Sequence, residues 1–144
     1  LAKTLAELPK SDPHYTEYLQ DFKDMCVALL PLQREDGYWN VSLHDANHFG
    51  GKEVSGTSLF IYGMAWGINN NILDKKAYLP AITKAWNAMT KECVHSDGKL
   101  GYVQGTGKEP KDGQPLGYDK TPDFEDYGLG CFLLAGTEIY KMNK

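Results

Sequence analysis

Three groups of residues combine types and spacing that could do chemistry. His44, Asp45 and His48 set two imidazoles and a carboxylate within one short stretch. Such groups can bind a metal or hydrogen-bond a substrate. The stretch reads as loop and fixes no further strong ligand beside them, so hydrogen bonding to substrate or within the loop is expected, and no metal. Glu53, Ser55 and Thr57 form a Glu-x-Ser-x-Thr run ahead of a long apolar segment. Ser55 is a natural helix cap, and the free N–H groups of a helix N-terminus suit a carboxylate or a hydroxyl. The plain alternative is capping and packing alone. Asp126 and Tyr127 hold the analogous place ahead of Gly128. No nucleophile–base set for acyl transfer can be assembled, because no GxSxG occurs. Gly105-Thr106-Gly107-Lys108 only brushes a phosphate-loop pattern, with Glu109 where Ser or Thr is required.

The elements that must position these residues read as helices. Leu1, Leu5 and Leu8 keep helical spacing with no capping residue in front, as in a helix entered in mid-course. Asp12-Pro13 reads as a cap and first turn, followed by Tyr15, Tyr18, Leu19, Phe22, Met25, Cys26 and Leu29 at helical spacing up to Pro31. An irregular stretch with a turn at Asp36-Gly37 follows; its Tyr38–Leu43 run alternates but is short. A helix is expected from about Val54 to Asn69, stopped by Asn69, Asn70 and Asn71. Asp74 caps the next, which carries Leu79, Ile82, Ala85, Trp86 and Met89 with Pro80 early in it. A long loop rich in glycine and proline runs from about Lys99 to Phe124; loops of this length in compact domains are functional or disordered. The last helix is expected from about Asp126 to Met142.

The pattern repeats. Residues 52–68, KEVSGTSLFIYGMAWGI, and 125–141, EDYGLGCFLLAGTEIYK, each place an acidic residue and a small turn before an apolar helix with internal glycine. Each interior glycine costs about 1 kcal/mol relative to alanine, which close helix approach, or a ligand against bare backbone, would offset. Asp36-Gly37 and Asp97-Gly98 turns precede the two units. Stacked helical hairpins follow from such a grammar.

The 144 residues suit one domain, and a net charge of −4 with Arg34 as the only arginine offers no basic face for nucleic acid or anionic lipid. No apolar run is long enough to span a membrane. Cys26, Cys93 and Cys131 are odd in number, lack a CxxC and read as reduced core thiols. Trp66 and Trp86 lie at core spacing, His14 and His95 read as surface residues, and Asn40-Val41-Ser42 fits a glycosylation sequon.

Taken together, DGYWNVSLHD at 36–45, GGKEVSGTSLFIYGMAWGINN at 50–70, LDKKAYLPAITKAW at 73–86, DGKLGYVQGTG at 97–107 and DYGLGCFLLAGTEIYK at 126–141 resemble the C-terminal part of the unsaturated glucuronyl and rhamnogalacturonyl hydrolases, glycoside hydrolase families 88 and 105. The resemblance implies an all-α (α/α)6 toroid of helical hairpins, with residues 1–144 as an incomplete C-terminal segment of a single toroid domain. It implies release of 4,5-unsaturated uronic acid from pectin- or glycosaminoglycan-derived oligosaccharides. An aspartic acid protonates the C4=C5 double bond, water adds at C5, and the hemiketal collapses, with no cofactor. A carboxyl able to deliver a proton suffices; the paired carboxylates of common glycosidases are not needed.

The resemblance also implies that the catalytic aspartate and the Arg-Gly-Asn-Gly-Trp-type sugar motif lie upstream of Leu1, so no catalytic residue is assigned here and the chain alone is expected to be inactive. It puts the start of each inner helix at the funnel, making Glu53, Ser55, Thr57, Asp126 and Tyr127 candidates for substrate contact, with His44 and His48 beside them. Trp39, after a turn, could stack on a pyranose face or cover the core edge. An oligosaccharide substrate is expected, together with self-association or binding of the absent N-terminal part, and neither nucleic acid nor membrane. The rival readings are a non-catalytic helical module that binds carbohydrate or protein, and another (α/α) toroid enzyme such as a sugar epimerase or lyase.

Overall fold

The structure, a computed structural model, describes residues 1–45, 47–105, 109, 111, 117–120 and 127–144. Among the described residues five helices run in order: α1 (Ala2–Glu7), α2 (Tyr15–Leu29), α3 (Val54–Asn69), α4 (Lys75–Glu92) and α5 (Tyr127–Met142), with a 3-10 turn at Leu30–Leu32 after α2. Among the described residues there is no strand; the alternating Tyr38–Leu43 run is irregular, and one isolated bridge joins Val94 to Leu100.

Two kinds of helix are present. α2 and α4 each bury one stripe: Phe22, Cys26 and Leu29 on α2, and Tyr78, Ala81, Ile82, Ala85 and Met89 on α4. These are the i, i+3/i+4, i+7 positions of an amphipathic helix. α3 is apolar all round and buried on several sides, from Val54 and Thr57 through Ile61, Met64 and Ala65 to Ile68. Its principal partner is α5, then α4. α3 and α5 are parallel, because the Tyr102–Val103 segment touches both N-terminal ends, at Val54 and at Gly128, while Asn69 and Glu138 bond near their C-terminal ends.

Side chains from α2, α4 and the connection between α3 and α4 occupy the notches at Gly67 and Gly136. A Cβ at Gly67 would sit 2.6 Å from Leu73 and 3.1 Å from Phe22, and one at Gly136 would sit 3.0 Å from Trp86. Trp66 meets Phe22 edge-on at 5.4 Å, and Trp86 stacks on Phe132 at 4.7 Å. These are the core roles expected of both tryptophans. The glycines therefore admit neighbouring side chains rather than bringing the α3 and α5 backbones together. Gly130 meets nothing within 4 Å. The α5 side away from α3 exposes Leu129, Leu133 and Tyr140, at 41%, 58% and 64%.

Helix ends follow the sequence with two changes. Asp74 caps α4 by accepting from the Lys76 amide at 3.1 Å, as expected. α2 begins at Tyr15, and Asp12 instead accepts from the His14 amide at 2.9 Å in the turn before it. The cap of α3 is Glu53, not Ser55. No helix among the described residues is long and apolar enough to cross a membrane. The three cysteines are free, with Cys26 and Cys93 buried and Cys131 partly so.

Candidate functional site at the start of α3

The sequence puts a carboxylate one residue before a helix whose first turn is Val54-Ser55-Gly56, and the backbone closes on it. Glu53 accepts from the amides of Ser55 and Gly56, each at 2.7 Å, and from the Ser55 hydroxyl at 2.6 Å. The Val54 amide donates to the Tyr102 carbonyl at 3.1 Å. These first N–H groups are thus spent within the protein, so the free donors expected here for a ligand are already satisfied. Gly56 makes the arrangement possible, since a Cβ there would sit 2.9 Å from the Glu53 carboxylate.

Thr57 is fully buried and its hydroxyl accepts from the Trp39 amide at 3.2 Å. The Trp39 indole N–H donates to the Leu29 carbonyl at 2.7 Å, at the end of α2, and its ring meets Phe60 edge-on at 5.6 Å. At 1% exposure Trp39 presents no face to a sugar; it bolts α2 to α3. Beside it, the Tyr38 hydroxyl and the Cys93 thiol lie 3.0 Å apart. Burial pushes the Cys93 thiol up to about 11 and raises the Tyr38 phenol above its ordinary range, the contact with Cys93 adding to it.

The loop carrying His44 and His48 closes around Asn40. The buried Asn40 amide nitrogen lies 2.9, 2.8 and 3.0 Å from the carbonyls of Ser42, Asp45 and His48. Arg34 holds the loop from outside: it donates to the Asn40 side-chain oxygen at 3.3 Å and to the Gly51 carbonyl at 3.1 Å, and pairs with Asp36 at 2.9 Å. Asn40 is therefore a structural hub, and its engaged amide does not suit glycosylation at the sequon. His44 and His48 are exposed, with the His48 ring on Phe49 at 4.0 Å. Among the described residues no hydrogen bond or ion pair joins either histidine to Glu53, and no group of His, Cys, Asp and Glu is arranged to hold a metal.

A second anchor comes from the chain after α4. Tyr102 has φ 56°, a left-handed backbone rare for an aromatic residue. That conformation turns its carbonyl to Val54 and its amide to the Gly117 carbonyl at 3.1 Å. Its ring packs near Tyr118, and Lys52 lies 5.3 Å over its face while pairing with Glu92 at 2.9 Å. His95, read from sequence as a surface residue, stacks on Tyr118 at 3.6 Å with its side chain 15% exposed. The Tyr127 hydroxyl donates to the Gln104 carbonyl. Burial and the Glu53 charge both raise the Cys131 thiol. Asp126 lies outside the described residues.

The structure thus brings Trp39, Glu53, Ser55 and Thr57 together at the head of α3, with the start of α5 alongside, and leaves His44 and His48 on the neighbouring loop. Sequence reasoning missed Asn40, Arg34 and Tyr102. Asn40 and Arg34 carried a signal, an amide and a lone arginine flanking a turn; Tyr102 carried none.

Residues 1–143 match the family model of Glycosyl Hydrolase Family 88. The chain belongs to that family. It is 39% identical over 144 residues to an unsaturated 3S-rhamnoglycuronyl hydrolase of Formosa agariphila, covering all of this chain and 36% of that protein. A solved family 88 glycosyl hydrolase from Bacteroides vulgatus superposes with a TM-score of 0.87 at 40% identity, over 96% of this chain and 39% of the other. A structure named a polysaccharide lyase superposes at 0.89 with 38% identity, over 99% of this chain and 39% of its own. The chain spans little more than a third of these relatives. Its fold is of the (α/α)6 toroid type, matched over that partial span. The family 88 match supports a glycoside hydrolase and the degradation of polysaccharide, as the resemblance implied.

Proposed function

We propose that this chain is the C-terminal portion of a single (α/α)6 domain and forms one wall of a funnel in which 4,5-unsaturated uronic acid is released from an oligosaccharide by hydration of its double bond. The observation that carries this reading is the likeness along the whole chain to an unsaturated rhamnoglycuronyl hydrolase almost three times as long. The parallel inner helices α3 and α5, whose N-terminal ends both meet the Tyr102–Val103 segment, support it.

In this reading Glu53, Ser55 and Thr57 shape the funnel rim rather than react, because their polar atoms are engaged within the protein. His44 and His48 on the exposed loop are the groups set to meet substrate hydroxyls or its carboxylate, with Asp126 and the ring of Tyr127 as the further candidates, the Tyr127 hydroxyl being engaged by the Gln104 carbonyl. Proton delivery to the double bond falls to an aspartate elsewhere in the longer protein, and the chain alone leaves the substrate intact. No cofactor enters the reading.

Absorbance of the conjugated double bond in an unsaturated rhamnose–uronate disaccharide tests this. The longer protein should bleach it and the chain alone should not. Bleaching by the chain at an enzymatic rate would place the proton donor within residues 1–144. The neighbour named a polysaccharide lyase favours a second reading, elimination in place of hydration. That reaction creates the double bond, so absorbance would rise on a saturated polymer.

A further inference from the structure

The one arginine of the chain holds a loop. One terminal nitrogen of Arg34 donates to the Asn40 side-chain oxygen and to the Gly51 carbonyl, so it spans both ends of the loop that carries His44 and His48. The other pairs with Asp36. The arginine is itself fixed to α4. Lys84 donates to the Arg34 carbonyl at 3.0 Å, and the neighbouring Gln33 side chain donates to the Ala81 carbonyl at 2.9 Å and the Gly37 carbonyl at 3.0 Å. A long helix thus sets the guanidinium, and the guanidinium sets the loop.

Asn40 holds the same loop from within. It is 5% exposed, and its amide nitrogen reaches the carbonyls of Ser42, Asp45 and His48. The Asp45 and His48 amides donate in turn to the Ser42 and Asp45 carbonyls, at 3.2 and 3.1 Å. Phe49 then takes φ 53°, a left-handed backbone that is costly for a residue other than glycine. The centre of the loop is polar, so this order adds little apolar burial. What it fixes in space is the exposed pair, His44 and His48. Side chains that meet a ligand gain from being held beforehand, because less freedom is lost on binding.

We propose that Arg34 and Asn40 are positioning residues: they hold the loop in its binding shape and so set the affinity for the uronic acid end of the oligosaccharide without touching it. This rests on the reading above in which His44 and His48 meet the substrate. Arg34 acts through the loop, because its charge is answered by Asp36 and both donors of its other terminal nitrogen are engaged. Asn40 acts through the loop because it is buried beneath it.

Two variants test this. Asn40→Asp keeps an oxygen for Arg34 but sets a second against three carbonyls, and should release the loop. Arg34→Lys keeps the charge but loses the planar fork that spans Asn40 and Gly51. In the chain, amide exchange at Asp45 and His48, followed by NMR, should quicken several-fold in both variants while α4 amides hold. In the longer protein, KM for the unsaturated disaccharide should rise several-fold with kcat nearly kept. Asn69→Ala, at the opposite end of α3, should leave KM unchanged and so separates lost stability from lost positioning. Faster loop exchange with an unchanged KM overturns the proposal, as does loop exchange that neither variant quickens. A KM that rises equally in Asn69→Ala also overturns it, by making the effect one of stability. If the unsubstituted longer protein leaves the double bond intact, the hydrolase reading fails and takes this inference with it, a result seen before any variant is compared.

Discussion

The side chains of Asn69 and Glu138 meet at 2.8 Å, where the C-terminal ends of the two inner helices come together. The same Asn69 amide donates to the Glu138 carbonyl at 2.9 Å, and Lys141 pairs with the other carboxylate oxygen at 2.6 Å. Glu138 is buried, and leaving a buried acceptor without its partner costs about 1–3 kcal/mol. Asn69→Ala should therefore destabilise the chain by about that amount in urea unfolding. A double-mutant cycle with Glu138→Gln should show coupling; additive losses would dissociate the two residues.

Trp39 distinguishes packing from recognition. As the bolt between α2 and α3, Trp39→Ala should cost about 3–5 kcal/mol, the range for a large aromatic removed from a core. A sugar platform would leave stability nearly unchanged on substitution. Thermal melts of the two proteins decide the matter.

The head of α3 makes a prediction of opposite sign to helix propensity. Gly56→Ala in an ordinary helix would stabilise by about 1 kcal/mol. Here the new methyl meets the Glu53 carboxylate at 2.9 Å, so the substitution should lower the melting temperature. Gly130→Ala, in open space, should raise it. If both alanines stabilise, the Glu53 cap is looser than its geometry states.

Alkaline pH should weaken the fold. Cys26 and Cys93 are each held up to about 11 by burial, against 9 for the exposed thiol. The folded state therefore keeps protons that the unfolded state gives up. This contribution is fully present below about pH 9 and is lost as pH climbs toward 11. Urea midpoints across that window should fall, and Cys26→Ala should flatten the decline.

The exposed stripe of α5 has a consequence in solution. If Leu129, Leu133 and Tyr140 are the side that a further hairpin covers in the longer protein, the isolated chain should associate as its concentration rises. Light scattering should report this, and Leu133→Glu should reduce it. A monomer at every concentration would detach the stripe from any packing role.

The helices were legible because their signals are local. The i, i+4, i+7 stripe of Phe22, Cys26 and Leu29 and the Asp74 cap depend only on near neighbours. The likeness of the whole chain to family 88 was equally plain. What sequence could not supply was partnership across distance. Ser55 and Glu53 both suit a cap, and the choice turns on Glu53 being able to fold back over Gly56. Trp39 faces inward because Leu29 offers a carbonyl whose helical partner, the Gln33 amide, turns to Leu30 instead. His95 lies inside a stack because Tyr118, across a loop, reaches it. Each outcome depends on where the loops close, which hydrophobic periodicity does not encode.

Tyr102 holds its corner in a costly backbone conformation. A left-handed backbone at a residue other than glycine forfeits about 1–3 kcal/mol, and glycine there would avoid the loss while keeping both main-chain bonds. The tyrosine ring, between Tyr118 and the Lys52 ammonium, must offset at least that much for the native sequence to match its glycine variant. The mouth of α3 is thus braced by an aromatic side chain whose contacts work against the cost of its own torsion angle.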